Sequence, residues 1–149
     1  MEMKASLHIQ TSCRGDITYL KKAYCTQPFK VANITEDKKD RMLRLMLMSS
    51  SPGILDGDEY DMKIDLDRNC SLHLSTQSFQ RLFTMKQGAS QRLEVNMTED
   101  SSFCFLPHPS VPHNQSIFTA TNNIYLSDRC SLIWGEVLTC GRTHGCSGC

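Results

Sequence analysis

The sequence predicts an all-β fold of stacked β-hairpin repeats, and two observations predict it. The first is the stretch MKIDLDRNCSLHL, Met62 to Leu74. Met62, Ile64 and Leu66 are apolar at every second position, with Lys63 and Asp65 between them. That is the period of a strand with one buried face and one wet face. DRN follows as a polar turn, and then Cys70, Leu72 and Leu74 alternate with Ser71, His73 and Ser75. The second observation is that this strand–turn–strand unit returns twice. LEVNMTEDSSFCF places Leu93, Val95, Met97, Phe103 and Phe105 in the slots of Met62, Ile64, Leu66, Leu72 and Leu74. NNIYLSDRCSLIW places Ile124, Leu126, Leu132 and Trp134 in the last four slots, with polar Asn122 in the first. The offsets are 31 and 29 residues. A period near 30 with the apolar slots kept fits stacked β units, each covering its neighbour's open face. Three unrelated hairpins in one sheet would show the same alternation.

The remaining segments fit this frame in chain order. SLHIQ alternates Leu7 and Ile9 as a strand, CRGD turns, and ITYL pairs back as a hairpin. Pro28 in KKAYCTQPFKV places that segment at a sheet edge or strand start. NITEDKKDR is a polar loop. RMLRLMLMSS alternates Leu43, Leu45 and Leu47 with Arg44, Met46 and Met48, a strand with both faces apolar towards its end. A helix competes there, because Met, Leu and Arg are good helix formers. In SSSPGILDGDEY, Pro52 and Gly53 read as a type II turn pair, and Gly57 as a second positive-φ position. STQSFQRLFTMKQGAS has mixed apolar spacing and fits either a short helical turn or an irregular strand. LPHPSVPHNQS, with three prolines, is an extended loop. SIFTATN is a short strand, and WGEVLTCGR ends the patterned region. The reading therefore divides the chain into a β domain over 1–142 and a Gly- and Cys-rich tail over 143–149.

Composition bounds the function. A chain of 149 residues is one domain with room for a real core. Basic and acidic residues are equal at 16 each, so no global field favours nucleic acid or anionic lipid. Residues 1–50 carry nine basic against five acidic side chains, and residues 51–67 six acidic against one lysine. No apolar run approaches the ~20 residues of a membrane-spanning helix, and the start lacks a signal peptide's apolar core. Eight cysteines without such a signal place the chain in the reducing cytosol. Asn33, Asn69, Asn96 and Asn114 head N-x-S/T triplets, which supports an alternative, a secreted, disulfide-bonded β-repeat binding module. No Ser-His-Asp or Cys-His spacing and no phosphate-binding Gly loop points to catalysis.

The order of the punctuation resembles the UreD/UreH family of urease accessory proteins. SPGILDGD follows an apolar strand, STQ follows a second strand pair, LPHPSVPH precedes a strand, and WGEVLTCGR closes the series. The resemblance runs from about Leu7 to Arg142 and covers about the first half of a family member. It implies a β-helix-like fold with a few short helices and a non-enzymatic role. That role is a maturation chaperone that docks on apo-urease, recruits a UreF-type accessory protein and a UreG-type GTPase, and helps insert nickel without holding a cofactor tightly. The matching positions are Pro52, Gly53, Gly57, Asp58, Thr76, Gln77, Pro107, Pro109, Trp134, Gly135, Glu136, Gly141 and Arg142.

Two sets of donors bear on metal. Cys140, His144, Cys146 and Cys149 lie within ten positions, and thiolates with an imidazole suit Zn²⁺ or Ni²⁺. An unstructured reduced tail fits the same residues. Asp58 and Glu136 offer weak, exchangeable oxygen donors for nickel in transit, or turn residues capping backbone N–H groups. His8, His73, His108 and His113 read as ordinary strand and loop residues, and Met42, Met46, Met48 and Met62 as core fillers. The stack predicts Ile64, Leu66, Val95, Leu126 and Leu132 largely buried, and Asp65, Glu94 and Tyr125 less so. A thiol count on the native protein separates the two functional classes: eight free thiols for the cytosolic chaperone, paired cysteines for the secreted module.

Overall fold

A computed structural model describes residues 2–140. The chain opens with an antiparallel pair, β1 (Lys4–Arg14) and β2 (Ile17–Cys25), turned at Gly15. A second antiparallel pair follows, β3 (Phe29–Asn33) and β4 (Leu43–Ser49). From there the chain winds as a three-faced solenoid. One sheet holds β5 (Glu59–Leu66), β8 (Ala89–Met97) and β11 (Phe118–Leu126), in the order β11-β8-β5-β1-β2. The other holds β6 (Ser71–Thr76), β9 (Ser102–Leu106) and β12 (Ser131–Trp134), in the order β12-β9-β6-β4-β3. A narrow third face pairs β7 (Gln80–Leu82) with β10 (Ser110–Pro112). Single bridges, Ile54 to Leu82 and Ser110 to Leu138, extend that face at both ends.

The repeat slots stack in register. Met62 lies beside Leu93, Ile64 beside Val95 and Leu66 beside Met97. Leu72 and Leu74 lie beside Phe103 and Phe105, and Ile124 and Leu126 take the next places beside Val95 and Met97. All of these pairings are parallel, so like residues form continuous apolar rows between the two sheets. The units are not hairpins, however. β5 and β6 belong to different sheets, and DRN is a corner between them. A strand alternates in the same way whether its partner is the next segment or the next coil, so periodicity alone does not separate the two.

The corners are built alike. Asn69, Asp100 and Arg129 hold φ of 62°, 60° and 57°, at the same offsets as the apolar slots. Each is a left-handed turn position that Asn and Asp tolerate better than most residues. The backbone ladder runs through this corner, with Asn69 N–H donating to Glu99 C=O and Asp100 N–H to Asp128 C=O, both at 3.1 Å. Arg129 adds a bond to Asp100 at 2.7 Å. At the opposite corner, the Asp56 carboxylate accepts the N–H groups of Lys86, Gln87 and Gly88 from the next coil. Gly57 and Gly88 hold φ of 84° and 104° there.

Several expectations change. No helix occurs among the described residues, so the few short helices implied by the resemblance are absent from 2–140. The ambiguous segment after Thr76 runs extended because Gln80–Leu82 pairs with β10 and with Ile54. Leu82 and Met85 point inward there, and Phe79 outward. RMLRLMLMSS is strand β4, its Leu43, Leu45 and Leu47 buried and its Met46 and Met48 half-buried. Gly53 is not at positive φ, so it is not the left-handed residue of a type II turn. It is needed for close approach, since a Cβ there would lie 2.5 Å from the Arg81 carbonyl oxygen. Finally, Leu126 is 53% exposed and Leu132 half-buried, although both occupy inward slots. β11 and β12 are the outermost strands of their sheets among the described residues, so no further coil covers these slots there.

Leu66→Ala is expected to cost ~2–5 kcal/mol by urea unfolding, because Leu66 is fully enclosed and the cavity has little room to collapse. Leu126→Ala is expected to stay within about 1 kcal/mol in this chain. Equal losses at the two positions would contradict the stacking order.

Candidate functional site

The third face is only three residues wide in β7 and β10. The two large sheets meet along the main core, while Ile54, Tyr60, Leu82 and Met85 form a second, smaller core near the third face. Between them runs a cleft of about 440 Å³ that residues from all three faces line. Its walls are largely apolar, from Phe29, Met62, Leu82, Phe105 and Phe118, with a few polar groups such as Gln80, Gln91 and Ser110. A concave, mostly apolar space with few placed polar groups is the usual form of a small-molecule site.

Six of the motif positions come together at this cleft: Pro52, Gly53, Thr76, Gln77, Pro107 and Glu136. They come from three successive coils, and the 30-residue winding brings them to one side. Thr76 Oγ1 bonds His108 twice, accepting its N–H at 2.8 Å and meeting ring Nδ1 at 3.0 Å. The His108 ring also meets Phe79 edge-on at 5.7 Å. Glu136 is exposed, and its carboxylate accepts from Asn122 Nδ2 at 3.3 Å.

The other motif positions lie elsewhere. Gly57 and Asp58 line a separate depression with Glu2, Gln87 and Gly88. Asp58 is 2% exposed, and both of its oxygens are engaged: Oδ1 accepts Met3 N–H, and Oδ2 accepts Leu55 N–H and the Tyr60 hydroxyl. Burial, together with the neighbouring Asp58 carboxylate, pushes the Tyr60 hydroxyl up to about 12. Asp58 thus sits as a turn-organising carboxylate. Pro109 precedes β10 and gives its carbonyl to Gln80 N–H. Trp134 packs on Phe105 at 4.8 Å and Phe103 at 6.5 Å, and Gly135 bonds the Phe105 carbonyl. Gly141, Arg142, His144, Cys146 and Cys149 lie outside the described residues, as does the boundary at 142/143. Cys140 alone of the cysteine cluster is described, and it is exposed. Among the described residues no three His, Cys, Asp or Glu side chains gather to hold an ion.

Sequence reading missed a polar network on the outer face of the first sheet. His8 Nε2 meets Asp65 Oδ2 at 2.8 Å, and Asn96 Nδ2 donates to Asp65 Oδ1 and to Glu94 Oε1, both at 2.9 Å. The alternation marked these residues as outward but carried no sign of which would touch across strands. His73 likewise meets Arg44, at 3.2 Å.

The described residues thus form a parallel β-solenoid with a largely apolar cleft at its third face. The chain belongs to the UreD urease accessory protein family, whose model matches residues 3–147. It is 51% identical over 138 residues to a urease accessory protein UreD of Flavobacterium johnsoniae, covering 93% of this chain and 50% of that one. It is 37% identical over 146 residues to the UreD proteins of Actinobacillus pleuropneumoniae serotype 5b and Haemophilus influenzae Rd, covering 95% of this chain and 54% and 56% of theirs. The chain therefore spans about half the length of the curated relatives it matches. No helix among the described residues is long and apolar enough to cross a membrane.

Burial raises the Asp65 carboxyl, but the bonds from His8 and Asn96 outweigh it and leave the group below its ordinary value. Its contribution to stability is complete above the unfolded carboxylate value of about 4 and is lost as pH falls through the lower folded value. Asp65→Asn is therefore expected to lower the urea midpoint at pH 7, with the gap closing below pH ~4. A gap independent of pH would contradict the network.

Proposed function

We propose that this protein acts by binding, as a cytoplasmic urease maturation protein. It docks on apo-urease, bridges it to a UreF-type accessory protein and through that to a UreG-type GTPase, and assists nickel insertion. Nickel is the cargo here, passing through without being retained. Membership of the UreD family supports the reading, as do the names of its relatives. The observation that carries it to a place on the molecule is the convergence of Pro52, Gly53, Thr76, Gln77, Pro107 and Glu136 on one cleft.

An ion that must move on needs loose donors. A carboxylate or a lone imidazole releases Ni²⁺ readily, whereas clustered thiolates hold it and accept Zn²⁺ equally well. Glu136 is exposed at the cleft, with one neutral hydrogen-bond partner, and suits such a station. Asp58 is a poorer one, because its oxygens already serve three donors. We rank Glu136 first, Asp58 as an organiser of the 55–60 turn, and the cluster of Cys140, His144, Cys146 and Cys149 last.

In a longer relative co-expressed with urease and the other accessory proteins, replacing the carboxylate at the Glu136 position with Gln is expected to lower urease activity and nickel content several-fold. Co-purification with apo-urease is expected to stay unchanged. Replacing Cys146 and Cys149 of this chain with Ser is expected to remove only nonspecific metal uptake. Micromolar nickel binding that disappears with those two cysteines would make the tail the metal site and overturn the ranking.

A further inference from the structure

We propose that Cys13 and Cys70 form a redox-active dithiol. A low-molecular-weight disulfide of the glutathione class would close it into an intramolecular bond joining the β1–β2 hairpin to the first corner of the solenoid. Cys13 lies near the end of β1, and Cys70 directly follows the Asp67–Asn69 corner. Their sulfurs are 3.6 Å apart, and the Cys13 thiol donates to the Asn69 carbonyl at 3.1 Å. It is the one sulfur–sulfur contact in hydrogen-bonding geometry among the described residues. A disulfide requires the sulfurs to close from 3.6 Å to about 2 Å.

The two thiols are unequal in a way that orders the reaction. Cys13 is half-buried, packed against the edge of the main core, while Cys70 is 1% exposed. Burial pushes the Cys70 thiol up to about 12, so Cys13 reacts first. The Cys13 thiolate attacks oxidised glutathione, the glutathione S–S bond breaks, and one reduced glutathione leaves. Cys70 then attacks the Cys13 sulfur of the mixed disulfide, and its proton goes with the second departing glutathione. Overall, two protein thiols are oxidised and one glutathione disulfide is reduced to two thiols. The Thr11 hydroxyl is buried beside Cys70 with no formed hydrogen bond, so it is available to donate to the Cys70 thiolate as that develops.

Closure would secure an existing polar joint. The hairpin meets the corner through Asp67 N–H donating to the Thr11 carbonyl at 3.4 Å, Ser71 N–H donating to Thr18 Oγ1 at 2.8 Å and the Cys13–Asn69 contact. The new bond replaces the Cys13–Asn69 contact with a covalent one.

The test equilibrates the full chain with graded mixtures of reduced and oxidised glutathione. Acid quenching, maleimide alkylation and peptide mapping follow, with thermal unfolding in parallel. Cys13 and Cys70 are expected to lose label together and appear as one crosslinked peptide. The midpoint is expected to rise by about 5–10 °C, reversibly with dithiothreitol. Cys13→Ser should leave Cys70 unreacted, and Cys70→Ser should strand glutathione on Cys13. Cys70 is buried, so its variant can fail to fold, and Cys13→Ser then carries the control. Glutathione accumulating on Cys13 of the unsubstituted chain would overturn the proposal. So would a Cys70 that stays alkylatable while other cysteines oxidise, or a crosslink that leaves the midpoint unchanged.

Discussion

The in-register parallel pairing of successive coils is the constraint on which everything else rests. Once Ile64 lies beside Val95, and Val95 beside Ile124, every inward residue of one coil is covered by its counterpart in the next. A slip of one residue would turn each apolar row to solvent and bring Asp65 and Glu94 inward. Register is therefore specified by burial along both large sheets at once. The corners obey the same rule, since each must return the chain at one height. Left-handed residues at Asn69, Asp100 and Arg129, and the Asp56 carboxylate gripping the next coil's turn, meet that demand.

The same constraint produces the cleft. Two broad sheets can be tied together at a short third face without being fully closed there, and β7 and β10 are too short to fill the gap. Residues thirty positions apart thereby become neighbours at the opening. Thr76 bonding His108 is one case, and Gly53 pressed against the Arg81 carbonyl is another. A scaffold of this kind can offer a passage and a docking surface without any catalytic group, which suits a family named for its service to urease.

Much of the sheet interior was legible in the sequence, because alternation reports burial directly. The slots from Met62 to Leu74 and their copies paired as the offsets implied. What alternation does not report is the identity of a strand's partner, so the corner at DRN reads in the sequence as a hairpin turn. It is equally silent about position in the stack, so Leu126 and Leu66 looked equivalent although one lies on an outermost strand. The three-residue strands of the third face fall below the length at which a period can be seen. At the site, the resemblance marked Asp58 and Glu136 alike. Asp58 is engaged by two near neighbours in its own turn and by Met3 from 55 residues away, whereas Glu136 has one partner 14 residues away, and the long-range contacts are not encoded by any local pattern.

The function proposed above assigns the cleft, and not merely the outer surface, a part in urease maturation. The direct measurement is to obstruct it. Ala120 lines the cleft, so a Trp at the matching position in a longer relative would narrow the space, with an unchanged thermal midpoint as the control for an intact fold. Urease nickel content and co-purification with apo-urease are then measured side by side. The account predicts that nickel content falls while the complex still forms. Normal nickel loading through an obstructed cleft, with the complex intact, would contradict it.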